Sequence, residues 1–454
     1  MAKEIRLNAF TMNCAAHINS TMWRHPRDTS LRYTSLAYWT DLAQTLERGL
    51  FDGVFLADVL GVYDVFRGSP DPAITHGVQF PVNDPMMVIP AMAYVTEHLG
   101  FGVTALLPYE NPLTFARRMS TLDHLTAGRA GWNIVTGYLQ SAAKGAGIAE
   151  QAPHDTRYEM ADEYMDIMYK LWEGSWEDGA MIADAASGVL TEHVRLHKVE
   201  HEGRFFELEA YHLCEPSPQR TPVLYQAGGS AAGRAFAARH AECVFLGGGS
   251  STTGVARSIA DLRQRAVAAG RDAASILMFP LMTVVVAATD DDAEAKLADY
   301  RRCVDPSAAL TLLSGWAGVD LAQWDLDDPV EGLRGDGIHG ALAQFAPKAD
   351  GRRWTVRQVA EYLGIGGSGP VIVGSPGRVA DELERWMEET DADGFNLTRI
   401  VTPETYDDFI DLVVPELQRR GRYKTAYTPG PYRHKLFGNG PWLPDSHIGR
   451  AYRR

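Results

Sequence analysis

Basic excess, paired cysteines and long apolar runs are what this sequence lacks. Its 43 Lys and Arg are outnumbered by 58 Asp and Glu, giving a net charge of −15. Such a surface repels nucleic acid and anionic membrane and excludes both as partners. The four cysteines, Cys14, Cys214, Cys243 and Cys303, are scattered with no C-x-x-C pair. That excludes a disulfide framework and a thiolate metal site, and it fits a reducing cytoplasm. The N-terminal ten residues hold no apolar h-region, so no signal peptide is expected. The longest apolar stretch, 276–288, is interrupted by Pro280 and Thr283 and is too short to span a bilayer. There is no H-x-H pair of the kind many metal-dependent barrel hydrolases carry, no G-x-S-x-G elbow and no G-x-x-x-x-G-K-[S/T] loop. His193, His197 and His201 recur every four residues, but their segment alternates like a hairpin and would not gather the rings at one point. No metal is expected.

What is present is alternation. Strand-like runs at 5–11, 52–57, 101–107, 130–135, 223–226, 243–246, 276–288 and 394–397 are separated by helix-like runs at 38–47, 85–98, 112–125, 157–171, from 230, 255–269, 291–303, 378–389 and 406–419. Alternation of this kind means a parallel sheet flanked by helices. About eight units favour a closed (β/α)₈ barrel, an α/β fold of TIM type, over an open sheet. At 454 residues the length alone suggests roughly three domains, but such barrels run long as one domain. The expected organisation is one barrel domain over 1–422 with insertions at about 176–221 and 305–370 on the C-terminal face, then a tail over 423–454. That tail is rich in Pro, Gly, Tyr and Arg, and such a tail wraps a neighbour or is partly disordered.

The most telling stretch is 222–237. An apolar run, Val223 to Gln226, breaks at Gly228-Gly229, and a helix-forming run opens at Ser230. Glycine lets the backbone approach an anion, and the first N–H groups of a helix have no internal partner, so the spacing predicts a phosphate seat. Ser230 adds a hydroxyl and Arg234 could add charge. A plain βα turn of small residues has the same pattern. Asp58, Thr104, Asn133 and Thr136 stand at strand ends, where barrel sites are built. His154 and Tyr158 flank a helix start in which Thr156 and Glu159 have capping-box spacing. Phe10, Phe55, Phe245 and Trp316 could wall an apolar pocket, or pack as ordinary core.

Taken together, Leu7-Asn-Ala-Phe10, Trp23-Arg-His-Pro26, Ser120-Thr-Leu-Asp-His124, Trp132-Asn-Ile-Val135, His154 to Tyr158, Gln226-Ala-Gly228 and Asp393-Gly-Phe-Asn396 resemble the bacterial-luciferase-like flavin monooxygenases. Within them the chain is similar to the nitrilotriacetate and dibenzothiophene-sulfone monooxygenase group. A narrower set, including Ala57 to Asp64, Pro81 to Pro85, Leu171 to Asp178 and Cys214 to Pro222, resembles the members of that group that oxidise dimethyl sulfide.

The resemblance implies a two-component enzyme. A separate NAD(P)H:FMN reductase supplies reduced FMN, O₂ is co-substrate, and a flavin peroxide at C4a or N5 passes oxygen to the substrate. It implies FMN-binding roles for Asp58, Thr104, Asn133, Thr136, His154, Tyr158, Gly229 and Ser230. It implies a substrate pocket at Phe10, His17, Phe55, Phe245 and Trp316, with no acid or base assigned. His17 is out of register with the sulfone enzyme's loop histidine, and Trp316 stands where that enzyme has a pocket histidine. Trp fills more space and carries no acid–base group, so a small apolar substrate, an organosulfur compound such as dimethyl sulfide, is expected. Dehalogenation of a chlorinated aromatic, oxidation of a sulfone or aminocarboxylate, and a non-catalytic flavin-binding barrel are the alternatives. A cytoplasmic homodimer or homotetramer is expected from the relatives.

Overall fold

The computed structural model describes residues 3–247, 251–330, 343–345 and 353–454. Eight parallel strands carry the fold: β1 (Arg6–Met12), β2 (Gly53–Ala57), β3 (Gly100–Leu106), β4 (Ala130–Val135), β5 (Val223–Gln226), β6 (Cys243–Leu246), β7 (Leu277–Val286) and β8 (Gly394–Thr398). Each bonds the next, and β8 returns to β1 through Arg6 opposite Gly394 and Phe10 opposite Thr398. The sheet therefore closes as the expected barrel. β3 and β7 are buried at every position, as strands covered on both faces must be, which is why they read as unbroken apolar runs.

Eight helices ring the barrel: α1 (Leu36–Arg48), α2 (Ile89–Tyr94), α3 (Pro112–Leu125), α4 (His154–Tyr169), α5 (Ala231–His240), α6 (Thr252–Ala268), α7 (Pro376–Thr390) and α8, which runs over 404–419 with a π turn at Phe409–Val413. Each turns an apolar stripe inward, as α1 does with Tyr38, Trp39, Leu42, Ala43 and Leu46.

Four expectations need correction. The insertion at 176–221 joins the end of α4 to the start of β5, so it lies on the amino-terminal face, away from the mouth. Its hairpin, Val199–Glu202 against Glu207–Ala210, is pinned to α4, where His201 meets Glu163 and Asp166, each at 3.2 Å. His197 turns to Glu177 instead, at 2.7 Å. Among the described residues no group of three or more metal-ligating side chains gathers.

The expected helix at 85–98 is a short turn at Pro85–Met87 followed only by α2. α4 starts at His154 behind Pro153 with no side-chain cap, so Thr156 and Glu159 lie inside the helix and form no capping box.

The residues 423–454 neither reach outward nor lack structure. Tyr423 donates to the Leu50 carbonyl at 2.7 Å, and Arg433 pairs with Glu242 through two bonds of 2.6 and 2.9 Å. Tyr432 enters the barrel from below and bonds Tyr225 and Asn8. A Cβ at Gly53 or Gly100 would come within 2.4 Å or 2.3 Å of Tyr432, so glycine in β2 and β3 is what admits the plug.

The second expected insertion follows β7 and does stand over the mouth. Its helices are Pro306–Ala317 and Val356–Gly364; the helix Asp290–Arg301 precedes it, and a ninth strand, Val371–Gly374, follows it beside β7. Part of 305–370 lies outside the described residues. Long loops after β1 (13–35) and β2 (58–88) complete the mouth.

Candidate active site

The seat foreseen between β5 and α5 is built as a small polar cradle. Ser230 is the N-cap of α5, and its hydroxyl accepts from the Gly233 N–H at 3.0 Å. The Tyr158 hydroxyl, from the first turn of α4, interacts with Ser230, Gln226 and Thr136. Gln226 accepts from the Gly228 N–H at 2.6 Å. A Cβ on Gly228 would lie 2.6 Å from the Tyr158 oxygen, and one on Gly233 would lie 2.7 Å from it and 3.0 Å from Gly228 backbone. Glycine here is a requirement of space. The N-terminus of α5, hydroxyls and an amide thus converge on one point, a suitable place for a phosphate.

Arg234 does not join them. Its guanidinium turns back to the Gly229 carbonyl at 2.6 Å and to Asp261 at 2.7 Å, because a carboxylate on the next helix offers a nearer partner. His154 packs edge-on to Tyr158 with centroids 5.2 Å apart, and its Nδ1 faces Asp155 at 2.8 Å.

Toward the barrel axis, Asn133 on β4 donates to the Thr104 hydroxyl on β3 at 3.1 Å, which leaves its own amide oxygen without a partner. Further buried polar atoms of the mouth are also unpartnered: Asn13 Oδ1, His17 Nδ1, the Tyr109 hydroxyl and Arg157 Nε. Each such atom costs about 1–3 kcal/mol unless something completes it. Those at the mouth are what a ligand rich in hydrogen-bonding groups, such as the ribityl chain and ring of FMN, would complete. Asp58 is mostly buried behind β2, and its carboxylate accepts only the Val59 N–H, at 2.9 Å. Burial pushes its pKa up to about 7.

Below this level aromatic rings fill the barrel. Phe10 stacks on Phe55 at 5.2 Å, Phe55 on Phe245 at 4.3 Å and Phe245 on Tyr225 at 5.1 Å. Phe55 and Phe245 are buried and act as core, while Phe10 is only half-buried at the top of the stack. His17 stands edge-on to Phe10, 4.3 Å away. Burial, aided by the charge of Arg399, lowers its pKa to about 3, so the ring is neutral.

Trp316 comes from the helix Pro306–Ala317 and lies beside the hydroxyls of Tyr63 and Tyr138. Those hydroxyls lie 2.6 Å apart, and Tyr63 donates to Gln79 at 3.0 Å. Tyr63, Gln79, Tyr138 and Arg157 were not singled out by sequence. They come from the loop after β2, the loop after β4 and helix α4, and matter only through their meeting.

Asp58 carries a prediction about stability. Its pKa rises from 3.8 unfolded to about 7 folded, so between those values the folded chain binds more protons than the unfolded one. Stability therefore falls as pH rises across that window. Asp58→Asn should be more stable than the parent at pH 8, by on the order of 2–3 kcal/mol, and equal to it at about pH 4. Urea unfolding at the two pH values checks this, and a pH-independent difference refutes it.

Comparison with known proteins agrees with this geometry. The profile of the family described as Luciferase-like monooxygenase matches residues 18–394. The chain is 50% identical to the dimethyl-sulfide monooxygenase of Hyphomicrobium sulfonivorans over 457 aligned residues, covering 100% of this chain and 94% of that one. It is 49% identical to the long-chain alkane monooxygenase of Geobacillus thermodenitrificans, covering 100% and 99%. The solved structure of a riboflavin lyase with modified FMN and riboflavin is 36% identical, with a TM-score of 0.92 over 100% of each chain.

Proposed function

Because this chain belongs to the luciferase-like monooxygenases, we propose that it is the oxygenating component of a two-component system. In that reading it takes FMN reduced by a separate NAD(P)H-dependent reductase and uses O₂ to insert one oxygen atom into a small apolar substrate. An organosulfur compound such as dimethyl sulfide is the leading choice. The protein is an oxygen-incorporating oxidoreductase of a family that works with reduced flavin. The flavin supplies the oxygen-activating chemistry; the chain binds, orients and keeps water away.

The observation that carries the reading is the cradle at Gly228, Ser230, Gly233 and Tyr158. In it the phosphate is held by Ser230, Tyr158 and the backbone around Gly229, with His154 beside it. Thr136, Asn133 and Thr104 follow the ribityl chain toward the ring, and Asp58 lies by the ring. The substrate sits against Phe10, His17 and Trp316, over a floor supported by Phe55 and Phe245. None of these pocket groups is an effective acid or base at neutral pH. His17 is neutral and Trp316 has no titratable group, so the pocket selects by shape and apolarity. The protein is read as cytoplasmic and as a homodimer or homotetramer. Among the described residues no helix is long and apolar enough to cross a membrane.

Two substitutions test the assignment. Ser230→Ala removes both a helix cap and a phosphate donor, so FMN binding should weaken by about 1–2 kcal/mol, measured by fluorescence titration. An unchanged affinity removes Ser230 from the seat. Trp316→His should change the substrate range while altering FMN affinity less than about threefold, since the ring lies beside Tyr63 and Tyr138 and not at the cradle. Equal loss of both would place Trp316 in the cofactor shell or the core.

The activity itself is tested by turnover with a generic flavin reductase, NADH and ¹⁸O₂. Candidate substrates are dimethyl sulfide, a long-chain alkane, dibenzothiophene sulfone, nitrilotriacetate and a chlorophenol. Label in the oxidised thioether supports the leading substrate; label only in another product reassigns it. Flavin binding without product from any of them favours a non-catalytic barrel.

A further inference from the structure

Directly after β8, Arg399 is only 1% exposed, yet every acceptor it meets is a neutral oxygen. Its Nε donates to the Thr11 hydroxyl at 3.1 Å, Nη1 to the Thr402 hydroxyl at 2.9 Å, and Nη2 to the carbonyls of Cys14 and Ala15 at 3.4 Å each. Arg433, buried to the same extent, has Glu242 directly on it. The acid nearest in effect to Arg399 is Asp28, which accepts from the N–H groups of Ser30 and Thr402.

A guanidinium cannot shed its proton, so it stays charged even in a dry site. The groups between it and the mouth do not offset that charge. Burial keeps the Cys14 thiol and the His17 ring neutral, and burial disfavours the charged form of Asp58. Arg399 also straps down the backbone at 14–15, from which His17 reaches Phe10.

We propose that Arg399 makes the mouth prefer reduced flavin over oxidised flavin, by fixing a buried positive charge under the loop that carries His17. Reduced flavin loses a ring proton near neutral pH and then carries one negative charge more than the oxidised form. A cation fixed in dry surroundings favours the more negative ligand and needs no contact with it. The inference rests on reading the mouth as an FMN site. Arg399 is a positioning residue here, acting through its field and through the loop.

The test is the ratio of dissociation constants for oxidised and reduced FMN, measured anaerobically on the whole protein. Wild type should prefer reduced FMN. Arg399→Gln should shrink that preference about tenfold, the scale expected for removing one fixed charge from surroundings of low dielectric. Arg399→Lys, which keeps the charge, should stay within about threefold of wild type by the same reasoning. Thr11→Asp sets a carboxylate against Arg399 and cancels the charge while leaving the strap in place, so it should lose the preference as Gln does. It also serves if Arg399→Gln does not fold. A ratio unchanged in folded Arg399→Gln or Thr11→Asp, or a wild type without preference, overturns the proposal. Binding of neither form by wild type overturns instead the reading of the mouth as a flavin site.

Discussion

Gly233→Val is expected to reduce FMN affinity at least a hundredfold while leaving the protein folded. The first atom of any side chain at 233 lies 2.7 Å from the Tyr158 hydroxyl and 3.0 Å from the backbone of Gly228. The tyrosine oxygen could swing aside, but the Gly228 backbone is the wall of the seat. Valine adds two more carbons in the same place, and overpacking of this kind costs about 1–3 kcal/mol before any phosphate is displaced. The helix itself tolerates the change, since β-branched residues cost it only a few tenths of a kcal/mol more than alanine and less than glycine does. The loss should therefore show in FMN titration, while thermal unfolding of the ligand-free protein shifts by no more than that overpacking cost and stays cooperative. A variant that binds FMN normally would move the seat elsewhere.

The second large effect concerns stability. Tyr432→Ala should cost about 3–5 kcal/mol, the usual range for deleting a buried aromatic ring. Tyr432 is fully buried, closes the bottom of the barrel against Gly53 and Gly100, and bonds Tyr225 and Asn8. Tyr432→Phe keeps the ring and should cost only about 1 kcal/mol, the worth of a hydrogen bond. Urea unfolding of the two variants checks both figures. If Tyr432→Ala unfolds as the parent does, the residues 423–454 are not part of the barrel's core.

That second prediction falls where sequence reading was weakest. The tail's Pro, Gly, Tyr and Arg show neither a 3.6 nor a 2 residue period, and its partners lie more than 190 residues away in Asn8, Gln219, Tyr225 and Glu242. Nothing local signals such contacts. The barrel strands were legible because burial on both faces leaves unbroken apolar runs, and β4, β5 and β6 fall within the residues expected. α4 began three residues before the run at 157–171, because Pro153 ends the preceding extended segment and the helix can begin directly after it. The strand Val371–Gly374 escaped notice as four residues inside a glycine-rich segment.

The candidate site divides in the same way. Gly228, Ser230, Tyr158, Asn133 and Thr104 sit at strand or helix ends, where backbone geometry and side-chain chemistry coincide, so a one-dimensional pattern could mark them. Arg234 could add charge to the seat on sequence alone, but sequence cannot show Asp261 on α6, which takes it. The insertion at 176–221 shows its length in the sequence, but its face is fixed by its place between the end of α4 and the start of β5. Gln79, Tyr138 and Arg399 belong to no motif, and Tyr63 only to a matching stretch; their roles emerge only once the loops after β2 and β4 and the end of β8 are brought to one mouth.

The central claim is that the mouth grips a flavin by its phosphate at the β5–α5 cradle. Anaerobic titration with reduced FMN and reduced riboflavin tests it most directly, because the two ligands differ only by that phosphate. The account predicts that FMN binds at least tenfold more tightly and that Gly233→Val abolishes the difference. Equal affinities for the two ligands in the unmodified protein would contradict it.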